Sequence, residues 1–235
     1  MKILLTLIGI GMVIQYETQG QATDVIRVKG GLNAEKTIPI ADRYRYDQFR
    51  DGKVLFMNGT SAAARFNYNS LLGEMQFIDA RGDTLAVADD PIVRLVGVGP
   101  DLFLYDPAKG YLEAIADYGI VKLGVKRYIK MAKNEKQGGY DQSSGVSAIT
   151  NYQFYSSGNT SVNKLAAKGD LVLIKDKSYY IIDQNNRFYP INRANLLKVF
   201  GKHREQVSAY LTNESIDFKR EDDLRKLLKY CSELL

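Results

Sequence analysis

Five carboxylates lie close together in the middle of the chain: Asp89, Asp90, Asp101, Asp106 and Glu113. Two acids about 5 to 10 Å apart across a cleft are what glycoside hydrolysis requires. Four of them, however, lie in the proline- and glycine-containing turns Asp89-Asp90-Pro91, Gly99-Pro100-Asp101 and Asp106-Pro107, where an aspartate is demanded by turn geometry alone. A hydrolase acting on envelope polysaccharide is therefore the competing expectation. Ser161-Val162-Asn163-Lys164 has the spacing of a lysine-activated serine, but it lies in a Gly/Asn/Ser-rich stretch without the companion motifs of that chemistry. The chain has one histidine, His203, so a Ser-His-Asp arrangement or a multi-histidine metal site has a single residue to draw on. Asp79, Gly82 and Asp83 lack the regular oxygen spacing of a calcium loop. No glycine-rich phosphate loop or dinucleotide fingerprint occurs. The sequence calls for no catalytic residue, no metal and no cofactor.

Recognition chemistry is better represented. In the run Arg43-Tyr44-Arg45-Tyr46-Asp47-Gln48-Phe49 bases alternate with rings, a pattern suited to stacking on sugars and to cation–π contact. Tyr44, Tyr46 and Phe49 are the ligand-binding candidates there, with Tyr68 from the following strand. Between Gly119 and Lys136 six basic residues face one acid, so a charge equal to the whole net +5 sits in one stretch. If Ile120 to Met131 is a strand, alternation places Lys122, Lys126, Tyr128 and Lys130 on one face. Val121, Leu123, Val125, Ile129 and Met131 fall on the other, with Arg127 the exception. The lysine face is either simply solvated or a docking strip for an anionic surface such as envelope polysaccharide or lipid head groups.

The elements that must hold these residues follow from periodicity. From Tyr44 to Met131 short apolar runs are broken by turn residues at close intervals, which predicts an antiparallel meander of about eight strands closing into a sandwich or open barrel. Asn58-Gly59 predicts a type I′ hairpin. Residues 134–165 read as a long mobile connection, with a short strand at Ile149 to Tyr155. Residues 166–235 read as a hairpin, with turns at Lys175-Asp176-Lys177 and Asp183 to Asn186, followed by a helical tail. In that tail Asn192 caps a first helix ended by Gly201, Val207, Tyr210 and Leu211 mark a second, and Leu224, Leu227, Leu228, Cys231 and Leu234 stripe a third.

Composition bounds the rest. The 235 residues are 45% hydrophobic and 25% charged, enough apolar surface for a real core. Sixteen Tyr, nine Phe and no Trp suit half-buried strand positions. The single cysteine, Cys231, permits no intramolecular disulfide and fits a small buried hydrophobe. Residues 1–22 read as an export signal: Lys2, an uncharged run from Ile3 to Ile14, then the small-x-small triplet Gly20-Gln21-Ala22. About 12 apolar residues are too few to span a bilayer, so the mature chain is expected to be periplasmic or secreted, with no transmembrane segment and no nucleic-acid partner. Thr23 to Asp42 reads as an extended arm. If it pairs with a neighbouring chain, the protein is a structural subunit of an envelope assembly.

The segments Gly52 to Asp83 and Phe188 to Cys231 resemble uncharacterised exported β-rich proteins of Bacteroidetes with a helical C-terminal tail. The resemblance covers about half of the chain and implies a Gram-negative envelope setting, with no activity or functional residue attached to it. The expectation is a mainly β, α+β protein, exported and without catalytic activity, that binds an envelope protein or glycan through a β-sheet face.

Overall fold

The computed structural model describes residues 25–29, 32–87, 92–135 and 170–234. The export signal, Asp89 and Asp90, the Ser161/Lys164 pair and the strand expected at 149–155 lie outside the described residues. The protein is mainly β: among the described residues eleven strands form one open antiparallel sheet, followed by a helical tail. No described helix is long and apolar enough to cross a membrane.

All eight strands of the expected meander are present: β2 (Arg50–Phe56), β3 (Ser61–Asn69), β4 (Glu74–Ile78), β5 (Thr84–Ala86), β6 (Val93–Val98), β7 (Asp101–Asp106), β8 (Gly110–Asp117) and β9 (Val121–Glu135). Burial alternates over parts of these strands, as in β6, where Val96 and Val98 are buried with Gly97 half-buried between them, whereas β5 is exposed throughout and Phe66 to Asn69 of β3 are buried in succession. The β2–β3 connection differs from the expected type I′ turn. Asn58 stays at negative φ and only Gly59 is left-handed, at φ 84°. The Gly59 N–H donates to Phe56 and the Phe56 N–H to Thr60, the pattern of a type I turn completed by a glycine bulge. Asn58 Oδ1 accepts from both the amide and the hydroxyl of Thr60, which fixes that geometry.

The second half differs more. The Lys175-Asp176-Lys177 turn does not exist: β10 (Asp170–Asp183) runs straight through it, paired with β9 from Asp170↔Glu135 to Asp183↔Val121. Lys and Asp have the composition of a turn, but a partner strand of 15 residues offers a continuous ladder and the pairing wins. The segment read as an arm supplies β1 (Val25–Val28), which pairs with Leu171–Ile174 of its own chain. It also supplies two single-turn helices, α1 (Ala34–Thr37) and α2 (Ile40–Arg43). The short strand β11 (Phe188–Pro190) completes the sheet, pairing with β10.

The tail is as its periodicity predicts. Asn192 caps α3 (Arg193–Val199) by accepting from the Asn195 amide, Gly201 opens a 3-10 turn, and α4 (Arg204–Asn213) and α5 (Glu221–Glu233) follow. Leu224, Leu227, Leu228 and Cys231 of α5 are fully buried and pack with Val207 and Leu196 against Val121, Leu123, Val125, Tyr179 and Ile181. The sheet curls around a second apolar cluster built on Phe66, Tyr68, Met75, Val96, Phe103 and Tyr111. A third joins Val28, Ala34, Ile38 and Leu71 to Ile129, Leu171 and Leu173.

Candidate functional site

One face of the β9–β10 ribbon carries an apolar stripe with a charged gap in its middle. Val121, Leu123 and Val125 with Tyr179 and Ile181 pack on the helical tail. Ile129 with Leu171 and Leu173 packs on the N-terminal helices. Strand alternation places Arg127, Lys175 and Lys177 on this same face between the two clusters, with Arg127 directly opposite Lys177 and Ile129 opposite Lys175. Three cations thus interrupt a core-facing stripe where a folding requirement would place aliphatic residues.

Beneath the gap lies Glu113 of β8, only 4% exposed. Arg45 grips its carboxylate with a two-pronged hydrogen bond, Nε to Oε2 and Nη2 to Oε1 at 3.0 Å each. Arg127 adds Nε to Oε2 at 2.9 Å. Burial pushes the Glu113 proton affinity up, but hydrogen bonds from Arg45 and the charge and hydrogen bond of Arg127 outweigh it, holding the carboxyl below the usual glutamate range. Glu113 is an ionised strut between two guanidinium groups and is not placed to donate a proton.

Arg45 reaches this position because its backbone is stitched to β3. Its amide donates to the Tyr68 carbonyl, and the flanking Tyr46 amide donates to Asn67 Oδ1. On the other side the Tyr68 hydroxyl donates to the Arg127 carbonyl at 2.9 Å, and the Ile129 amide to the Ser70 carbonyl at 3.0 Å. The curled end of the sheet is thereby tied to β9. Between them opens a cleft of about 410 Å³ bordered by Tyr44, Arg45, Ser70, Arg127, Tyr128 and Lys177, with the Lys175–Asp42 ion pair at 2.7 Å and Asp176 on its margin. That is within the roughly 300–1,000 Å³ of small-ligand pockets.

The donor inventory of the cleft is unbalanced. Arg127 spends only Nε on Glu113, and Arg45 spends Nε and Nη2. Nη1 and Nη2 of Arg127 and Nη1 of Arg45 meet no acceptor among the described residues. Lys177 is exposed, with its ammonium 5.5 Å from the Tyr179 ring centroid, and makes no ion pair among the described residues. The cleft can therefore receive an anion with donors already oriented.

The residues expected from the sequence are divided by the structure. Tyr44 and Tyr128 border the cleft, and Phe49 packs against Tyr44 in a tilted arrangement at 5.4 Å between centroids. The Tyr44 hydroxyl donates to Gln76 at 2.6 Å; that of Tyr128 lies 3.1 Å from Ser178 Oγ and 3.3 Å from Asp176. Lys130 pairs with Asp176 at 2.5 Å, behind the cleft margin. Tyr46 and Tyr68 are core residues. Tyr46 donates to Asp101 at 2.7 Å under the guanidinium of Arg50, and Tyr68 stacks on Phe103. Lys122 pairs with Asp117 at the far end of β9, and Lys126 donates to the Lys109 carbonyl. The lysine face thus does not form one strip of available charge.

The sequence does not single out Arg45, Arg127, Lys175 and Lys177 as site residues, although Arg127 is the visible break in the alternation of β9. Lys175 and Lys177 break β10 in the same way once it is read as a strand. Sequence proximity groups Glu113 with the turn acids as a candidate catalytic carboxylate, whereas the structure sets it apart in the arginine clamp. Asp106 caps its turn by accepting from the Ala108 and Lys109 amides, and Asp101 is held by Tyr46. His203 is half-buried at the start of α4. Cys231 is fully buried, and burial pushes its thiol up to about 12. No group of three or more metal-ligating side chains occurs among the described residues.

Comparison of the chain with protein-family models, with curated proteins and with solved structures finds no match.

Proposed function

We propose that the protein is an exported envelope protein without catalytic activity that binds an acidic glycan in the cleft between α2, the β3–β4 turn and the β9–β10 ribbon. The observation that carries this reading is the convergence of Arg45, Arg127 and Lys177 on one cleft with guanidinium nitrogens left unmatched, between the tyrosines Tyr44 and Tyr128. Fixed cations attract an anion, and phenol rings beside them offer apolar faces to the C–H side of a sugar ring. Within the competing hydrolase reading Glu113 is unsuited to the general-acid role, since an acid clamped by two arginines does not carry the raised proton affinity that a general acid needs. The structural-subunit reading draws no support from β1, which pairs with β10 of its own chain.

Isothermal titration calorimetry of the purified chain with oligogalacturonate and with a neutral glucan oligosaccharide tests the proposal. Binding is expected for the acidic ligand only, weakening as salt rises and weaker again in Lys177→Glu. Equal binding of both ligands, or of neither, overturns it. Cell fractionation with N-terminal sequencing tests the location: a mature chain beginning at Thr23 in the periplasm or medium is expected, and an uncleaved cytoplasmic chain contradicts it.

A further inference from the structure

Building on the acidic-glycan reading, we infer that the recognised group is the single carboxylate of a uronic-acid sugar, gripped by the free edges of Arg127 and Arg45, and that Glu113 is the positioning residue that sets this choice. The two guanidinium groups are oriented before any ligand arrives, because each is fixed to the same buried carboxylate through Nε. What remains open is the terminal Nη1/Nη2 edge of Arg127 and Nη1 of Arg45. A terminal guanidinium edge presents two parallel N–H donors, the geometry that matches the two coplanar oxygens of a carboxylate.

Charge selects in the same direction. Two guanidinium groups against one carboxylate leave the buried island one positive charge in excess. One ligand carboxylate neutralises that excess. A phosphate monoester, carrying about −1.5 to −2 at neutral pH, overfills it and must lean on Lys177 at the exposed rim. A sulfate ester has the right charge, but its oxygens are much less basic and tetrahedrally arranged, so it is a poorer acceptor for a planar fork.

Four ligands separate the outcomes in calorimetric titrations at fixed ionic strength: oligogalacturonate, its methyl ester, a sulfated neutral oligosaccharide and an acidic peptide. The free uronate is expected to bind, with at least a tenfold loss on esterification and at least tenfold weaker binding of the sulfated sugar. Sulfated sugar binding as tightly as uronate overturns the carboxylate assignment while leaving the acidic-glycan reading intact. Peptide binding with no glycan binding overturns both, as does no binding at all. Arg127→Lys keeps the charge and removes the fork; the uronate-over-sulfate preference is expected to fall towards one while salt-dependent binding persists. Glu113→Gln, with folding checked by circular dichroism, is expected to lose the same preference. A purely structural Glu113 would lower the melting temperature of that variant and leave the preference unchanged, which would overturn its positioning role. If Glu113→Gln does not fold, the Arg127→Lys result decides the carboxylate fork, and Glu113→Asp, which shortens the strut and keeps its charge, decides the positioning role.

Discussion

Arg127 and Lys177 stand directly opposite each other across β9 and β10, two cations at positions where cross-strand neighbours repel. Glu113 compensates Arg127 at 2.9 Å, while Lys177 has no carboxylate partner among the described residues. A bound anion relieves the remaining repulsion, so ligand should act as a stabiliser. At a free ligand concentration of 100 Kd, mass action contributes about 2.7 kcal/mol. Thermal unfolding with increasing oligogalacturonate should show a rising melting temperature, and an unchanged one would count against the cleft as a binding site.

Removing Glu113 should be costly. Glu113→Ala leaves two guanidinium groups facing each other over a buried vacancy, and breaking a buried pair costs 3–5 kcal/mol. The arginines are each about 30% exposed, which places the loss near the bottom of that range, about 3 kcal/mol. Urea denaturation of the variant at neutral pH measures it.

The pH dependence of that contribution has a definite sign. The folded carboxyl of Glu113 is held below its ordinary value of 4.5, so its stabilisation is fully present above the unfolded value and is lost as pH falls through the lower folded one. The stability difference between wild type and Glu113→Gln should be flat from pH 7 to pH 5 and should shrink below about pH 4.5. A difference that shrinks on going from pH 7 to pH 5 would show that the carboxyl titrates too high for an arginine clamp.

Gly52 of β2 faces Gly97 of β6 so closely that a Cβ at position 52 would overlap the Gly97 carbonyl oxygen and lie 2.9 Å from Cδ2 of Phe66. Backbone cannot yield as a flexible side chain can. Gly52→Ala should therefore cost about 1–3 kcal/mol by overpacking, whereas Gly201→Ala, with open space around it, should be neutral. Equal midpoints for the two variants in urea would refute the close approach of these strands.

The helical tail is bound to the sheet by α5. Leu228→Ala removes a fully buried side chain from that contact and should cost about 2–5 kcal/mol. Cys231 beside it should be inert: with its thiol pushed up to about 12, a disulfide-exchange reagent at pH 8 should label it only after denaturant is added. Rapid labelling of the native protein would mean that α5 is not docked as described.

The sequence by itself determined the class of the fold and most of its elements. Short apolar runs between turn residues specify the meander, and the 3.6-residue stripe through Leu224, Leu227, Leu228 and Cys231 specifies the last helix, because these are local patterns written in consecutive side chains. It also marked Arg127 as an irregularity. Tertiary structure alone decided what that irregularity is for. Glu113 and Arg127 lie 14 residues apart on the paired strands β8 and β9, and Arg45, 68 residues before Glu113, meets them only because its backbone is tied to the end of β3. Likewise Lys175 and Lys177 look like turn residues until a long partner strand holds them extended. A turn and a strand differ here by non-local hydrogen bonds, and a charge cluster assembled from three segments leaves no periodicity in any one of them.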